Sequence, residues 1–219
     1  MNISNDTTVG EVAAERPASL RVFERAGIDY CCGGRRSLAS ACAKAGVAMD
    51  ELLAKIDDAE RVTVTQTDWR SAPLADLIDH IEAVHHTFTR DELARATTLM
   101  EKVARVHGEV HPELPVMRGV LAELREELIP HLAKEERVLF PRIRAGAGGI
   151  DAPVSVMLAE HDHAGDLLQH LRFLSKDYRL PDGACGSYRA LYQSLEALEA
   201  DLKVHIHLES NILFPRAAR

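Results

Sequence analysis

The chain has no apolar run approaching the about 18 residues a membrane-spanning helix needs, so no membrane span is expected. It has no basic excess either: 26 lysines and arginines stand against 34 aspartates and glutamates, a formal net charge of −8. Without a positive field to draw in phosphates, a nucleic-acid partner is not expected. Cysteine is scarce, at four residues. The opening MNISNDTTVGEVAAERP lacks the basic stretch and apolar core of an export signal. A cytoplasmic location with reduced thiols is therefore expected rather than a disulfide framework. Histidine is missing from the first third of the chain, and all eleven lie from His80 onward.

What is present is a repeat. HLAKEERVLFP, from His131 through Glu135 to Leu139, Phe140 and Pro141, returns as HIHLESNILFP, from His205 through Glu209 to Leu213, Phe214 and Pro215. Both read His-x-x-x-Glu-x-x-x-Leu-Phe-Pro. Residues four apart share one face of a helix, so each copy offers an imidazole beside a carboxylate. A single His-x-x-x-Glu pair on a helix is most often a surface pair. Two copies with the same trailing residues point instead to metal ligation. The Leu-Phe-Pro itself reads as a packing and helix-ending device.

The rest of the pattern is helical, and the fold class expected is all-α. Residues 1–60 read as a small helical domain. Thr8 and Glu11 have capping-box spacing, Gly27 and Gly46 are helix stops, and Asp50 is a candidate cap. So small a module buries little surface. Residues 61–72 lose helical periodicity and read as a linker, with Trp69 able to pin it. From 73 to 219 four long helices with short connections are expected, over about 73–106, 117–143, 151–178 and 184–213. The economical arrangement is an antiparallel four-helix bundle. Ser71 is a candidate N-cap for the first helix, and Pro130 should bend the second.

If the chain is duplicated, the first and third helices should each add a lone histidine. His86 and His131 are 45 residues apart, and His161 and His205 are 44 apart. This favours His86 and His161, with His85 in reserve. The set His86, His131, Glu135, His161, His205 and Glu209 suits two borderline metal ions. The two glutamates can bridge them, and positions remain for an oxo or hydroxo bridge or a small ligand. Two iron ions per chain is the natural choice, because such a pair can change oxidation state. Zinc would favour a smaller tetrahedral set, and manganese suits the same donors. A Glu-x-x-His version through Glu82/His85 and Glu160/His163 has acceptable spacing. It lacks the lone glutamates that such bundles place on their other helices.

The second chemical signal is the adjacent Cys31 and Cys32 in a glycine-rich turn. They could donate electrons, bind iron or a cluster, or exchange a disulfide; the alternative is a pair of small buried residues. Cys42 and Cys185 are isolated and read as structural.

These residues carry a resemblance. Residues 73–219 resemble the hemerythrin-like cation-binding fold. The whole chain resembles the bacterial iron-sulfur cluster repair di-iron proteins, through GIDYCCGG at 27–34, AEHDHAG around His161 and HIHLESNILFPRA from His205. The resemblance implies terminal ligation by His86, His131, His161 and His205 and bridging by Glu135 and Glu209. It makes Cys31 and Cys32 the functional, catalytic pair of the N-terminal domain. It also implies restoration of iron-sulfur clusters damaged by nitric oxide or oxidants. The expected partners are damaged iron-sulfur proteins, nitric oxide or another small ligand, and a second copy in a homodimer. A plain iron, oxygen or nitric oxide carrier would need the di-iron site but not the cysteines.

Overall fold

The computed structural model describes residues 3–4, 6–62 and 67–218. Among these the regular elements are all helical, and the one β-type pairing is an isolated bridge between Thr8 and Ser37. The fold is all-α, a helical bundle with a small helical module. The chain forms two compact units, Met1–Asp79 with Lys203–Arg219, and His80–Leu202.

In the first unit, α1 (Val9–Glu15) opens on the expected capping box. The Glu11 amide donates to Thr8 Oγ1 at 3.2 Å, and the Thr8 amide donates to Glu11 Oε2 at 2.8 Å. Helix α2 (Ser19–Ala26) stops at Gly27, where φ is 68° and a side chain would be strained. A 3-10 turn (Cys32–Arg35) leads to α3 (Leu38–Ala45), which ends on Gly46 in the same left-handed conformation. In α4 (Met49–Val62), Asp50 lies within the first turn, where a carboxylate favours the helix dipole, rather than capping it from outside. Val9, Phe23, Tyr30, Leu38, Leu52 and Ile56 form the core, and Ile206 from the far end of the sequence completes it. Burying one such side chain contributes about 1.5–3 kcal/mol, a useful addition to so small a core. Arg16 fixes the end of α1 to α4 through Asp57 at 2.5 Å and Glu60 at 2.7 Å.

Residues 63–66 of the expected linker lie outside the described residues. In the rest of it, Ser71 Oγ donates to the Asp68 carbonyl at 3.2 Å, so Ser71 closes a turn instead of capping the next helix. Arg216 donates to the carbonyls of Trp69 and Ala72, both at 2.6 Å. Trp69 is thus held through its backbone.

The first long helical run is α5 (Leu74–His80), a π-helical stretch π1 (Ile81–His86) and α6 (Thr87–His107). The second is α7 (Glu113–Lys134), π2 (Glu135–Leu139) and α8 (Phe140–Arg144). The third is α9 (Asp151–Leu174). The fourth is α10 (Gly186–His207), π3 (Leu208–Leu213) and α11 (Phe214–Ala217). The core of the second unit takes one apolar face from each of α6, α7, α9 and α10, through residues such as Met100, Leu121, Leu168 and Leu195. That is the construction of a four-helix bundle.

Three expectations about helix ends need correction. Helix α7 begins earlier than expected, because Pro115 falls in its first turn, where no intrahelical donor is needed. Helix α9 ends earlier, at Leu174, because Lys176, Asp177 and Tyr178 take positive φ of 52°, 58° and 55°. This run is costly for non-glycine residues. It is held by Tyr178, whose hydroxyl donates to the buried Glu199 at 2.7 Å, and by Arg172 Nε, which donates to the same carboxylate at 2.9 Å. The third concerns Leu-Phe-Pro, which does not end either helix: the chain stays helical to Arg144 and to Ala217. The π turn before it shifts the ladder, so that each proline sits as if in a first turn.

Cys185 is not structural. It is exposed at the start of α10, with its Sγ 3.4 Å from His107 Nε2. The Tyr188 backbone amide and then His107 pull its thiol down to about 7. Below that pH the thiol dominates and above it the thiolate. Alkylation of Cys185, followed by peptide mass spectrometry, is expected to rise with a midpoint near pH 7, and His107→Ala is expected to move the midpoint upward. A midpoint unchanged by His107→Ala would contradict the contact.

Candidate metal centre

Glu135 opens π2 and Glu209 lies in π3. In each, the carbonyl of the glutamate accepts the amide of the phenylalanine five residues on, Phe140 to Glu135 and Phe214 to Glu209. The wider turn is thus closed by the Phe of the repeated Leu-Phe-Pro. His86 ends π1. Three of the four long runs therefore widen where a candidate ligand sits, whereas His161 lies within the regular helix α9. Local π turns of this kind re-aim side chains and frequently mark functional sites.

The side chains converge as the repeat implied. His86 Nε2 lies 3.5 Å from Glu135 Oε2, and His131 Nε2 lies 3.4 Å from Glu135 Oε1. His161 Nε2 faces His131 Nε2 at 3.2 Å. His205 Nε2 lies 3.2 Å from Glu209 Oε1. Two groups of donor atoms, each within 4.8 Å, result: His86, Glu135, His205 and Glu209, and His131, Glu135, His161 and Glu209. The two glutamates belong to both. All six residues are buried, and the two carboxylates have no exposure.

The outer nitrogens explain how the rings are aimed. His86 Nδ1 donates to Glu136 Oε1 at 2.8 Å, and His131 Nδ1 donates to Glu160 Oε2 at 2.8 Å. A carboxylate can only accept, so each ring carries its proton on Nδ1 and turns the Nε2 lone pair inward. The Nε2 atoms of His131 and His161 face each other at 3.2 Å, close enough to serve as two ligands of one cation. Phe140 stacks on the His86 ring at 5.6 Å. Burial pushes the Glu136 carboxyl up, but hydrogen bonds from His86 and Arg90 outweigh it and hold it below the usual range. Burial opposes ionisation of Glu160 too, and Lys134 and His131 outweigh it in the same way.

The geometry favours one of the readings left open. His85 is engaged elsewhere, its Nδ1 2.9 Å from Asp201 Oδ1, and belongs to neither group. The residues of the Glu-x-x-His version are engaged elsewhere: Glu82 pairs with Arg144, Glu160 supports His131, and His163 faces Glu123 at 3.5 Å. Sequence reasoning missed Glu136 and Glu160 as supports. The signal was there, since each directly adjoins a candidate ligand.

The donor set fits a metal pair. Two ionised carboxylates buried in one place repel each other, and divalent cations between them would offset that repulsion and the cost of burial. Four imidazoles and two shared carboxylates form two overlapping clusters, the donor arrangement of a di-iron centre.

Cys31 and Cys32 form a separate cluster. Asp29 Oδ1 accepts the amides of Cys31 at 3.0 Å and Cys32 at 3.1 Å, and Oδ2 accepts the Gly33 amide at 2.9 Å. Cys31 Sγ lies 3.1 Å from Asp29 Oδ1 and 3.8 Å from Cys32 Sγ. Cys31 is buried and Cys32 partly exposed, and both are free thiols. The neighbouring Cys32 thiol, burial and the Asp29 carboxylate push the Cys31 thiol well up, so it keeps its proton at neutral pH. That suits a reserve of electrons and protons better than a resting thiolate nucleophile.

Comparison with known proteins finds matches over both parts of the chain. Residues 76–217 match the hemerythrin HHE cation binding domain, and residues 5–60 match a domain of unknown function, DUF542. The chain is 39% identical to the iron-sulfur cluster repair protein YtfE of Pectobacterium carotovorum, over 98% of this chain and 97% of that protein. It is 40% identical to YtfE of an Escherichia coli strain and 39% to that of Salmonella typhimurium, each over 97% of this chain and 96% of the relative. With its paired His/Glu clusters, its hemerythrin match and near full-length similarity to these proteins, the chain belongs to the iron-sulfur cluster repair family that carries a hemerythrin-like cation-binding domain.

Proposed function

We propose that this protein restores iron-sulfur clusters damaged by nitrosative or oxidative stress. The observation that carries the reading is the pair of buried clusters sharing Glu135 and Glu209, in a chain matching cluster repair proteins over nearly its whole length. His86 and His205 would terminate one iron, His131 and His161 the other, with both glutamates bridging. Iron held there supplies a change of oxidation state and coordination positions for a small ligand such as nitric oxide. Glu136 and Glu160 hold the ring protons of His86 and His131 outward, keeping Nε2 available.

Cys31 and Cys32 would be the functional thiol pair, with Asp29 pinning their turn. Two routes suit this equipment: release of iron to a damaged cluster, or reduction of nitric oxide with electrons drawn from the cysteines. The domain division that goes with the reading is 1–60 for the thiol module, 61–72 for the linker and 73–219 for the metal-binding bundle, which the two family matches support. A cytoplasmic homodimer acting on damaged iron-sulfur proteins, with neither nucleic acid nor membrane as partner, completes the proposal. The net charge of −8 supports the nucleic-acid part. Among the described residues no helix is long and apolar enough to cross a membrane.

Elemental analysis is expected to give about two irons per chain, lost when Glu135 and Glu209 are both changed to alanine. Iron unaffected by the pair of substitutions would overturn the ligand assignment. Glu136→Gln and Glu160→Gln are each expected to weaken iron binding about 10- to 100-fold, read by competition with a chelator, while leaving helix content unchanged. Cys31→Ser with Cys32→Ser is expected to retain the irons but lose cluster recovery in a stressed cell extract. Unchanged recovery would favour a simple carrier.

A further inference from the structure

The cysteine turn and the ligand-bearing segment 205–213 meet in the first unit, and they meet on one side chain. Asn211 lies in π3, two residues beyond Glu209. Its Nδ2 donates to the Tyr30 carbonyl at 3.0 Å, immediately before Cys31. The same nitrogen lies 3.0 Å from His207 Nδ1, within the turn that links His205 to Glu209. A backbone carbonyl can only accept, so the amide's orientation is fixed and both its N–H groups are used. Its oxygen is enclosed by glycines. A methyl group at Gly10 would sit 2.5 Å from Asn211 Oδ1, and one at Gly34 would sit 2.6 Å away. Gly34 is two residues beyond Cys32, so Asn211 bonds the backbone before the cysteine pair and lies close against it after the pair. The Tyr30 ring meets His207 edge-on at 5.8 Å, and Ile206 enters the thiol module's core.

We propose that Asn211 is a positioning residue that couples the cysteine pair to the metal centre. Iron held by His205 and Glu209 fixes the turn between them, and the fixed turn holds Asn211 against Tyr30 and Gly34. The cysteine turn is thereby kept closed when the centre is loaded. By linkage the effect is reciprocal: whatever holds the cysteine turn closed favours iron retention. The inference rests on the di-iron reading above and assigns a route between its two chemical parts. Asparagine suits the position because it supplies two donors from one nitrogen and fits a space that two missing side chains leave open.

The test is the alkylation rate of the peptide carrying Cys31 and Cys32, followed by mass spectrometry in full-length protein with and without iron. In the parent, iron is expected to slow labelling about fivefold or more. In Asn211→Ala at saturating iron, labelling is expected to be fast and indifferent to iron, with helical circular dichroism retained and iron still bound but correspondingly more weakly. Gly34→Ala, which crowds the Asn211 oxygen without requiring a left-handed backbone, is expected to give the same loss of iron dependence. A role confined to stability would change unfolding but leave the iron dependence intact. Iron-bound parent whose labelling does not respond to iron, or Asn211→Ala and Gly34→Ala that respond like the parent, would overturn this proposal alone. A parent that binds no iron would overturn the di-iron reading and the coupling with it.

Discussion

Two carboxylates buried side by side, Glu135 and Glu209, are the constraint on which the structure depends. An ionised carboxylate taken out of water is expensive, and a second beside it adds repulsion. A bundle that must bury them needs positive charge in the same place. Imidazoles aimed by outer carboxylates provide the donors to hold it. The order of dependence runs inward: Lys134 and Arg90 hold Glu160 and Glu136, those acids hold His131 and His86, and the rings present Nε2 to the shared centre. Each layer removes a freedom from the next.

The backbone cooperates through its departures from regularity. A uniform α-helix places His131 and Glu135 on one face, but it also fixes the phase of the residues after Glu135. The π turns at Glu135 and Glu209 insert a wider turn at the ligand itself, closed by Phe140 and Phe214. The proline after each phenylalanine is then harmless. Leu-Phe-Pro is thus part of the ligand geometry, and Phe140 also supports the His86 ring. The bulk of the bundle core lies in Leu, Met and Ala faces of α6, α7, α9 and α10 and is ordinary in its chemistry. It supplies the close-packed frame on which a few polar residues are placed.

The legibility of the chain tracks the range of the interactions. Helix existence, the Thr8 capping box and the glycine stops at Gly27 and Gly46 depend on neighbours in sequence and were readable. The four histidines and two glutamates were readable because duplication repeated a short-range pattern. The π turns were hidden: they arise when tertiary packing requires an extra residue per turn, and His-x-x-x-Glu spacing looks the same in either helix. The support of His131 by Glu160, 29 residues away, and the left-handed turn at 176–178 held by Glu199 also needed three-dimensional contacts. So did the role of Cys185, an isolated thiol in sequence whose character comes from His107 and the start of a helix. Asn211 was invisible for the same reason, since its partners Tyr30 and Gly34 lie near the other end of the chain.

Iron K-edge X-ray absorption on the iron-loaded protein tests the central claim most directly, because it reads the first shell and the metal–metal vector together. The account predicts nitrogen and oxygen neighbours only, with imidazole scattering and a second iron within about 4 Å. A sulfur shell, or iron without an iron neighbour, would contradict a paired centre built on Glu135 and Glu209.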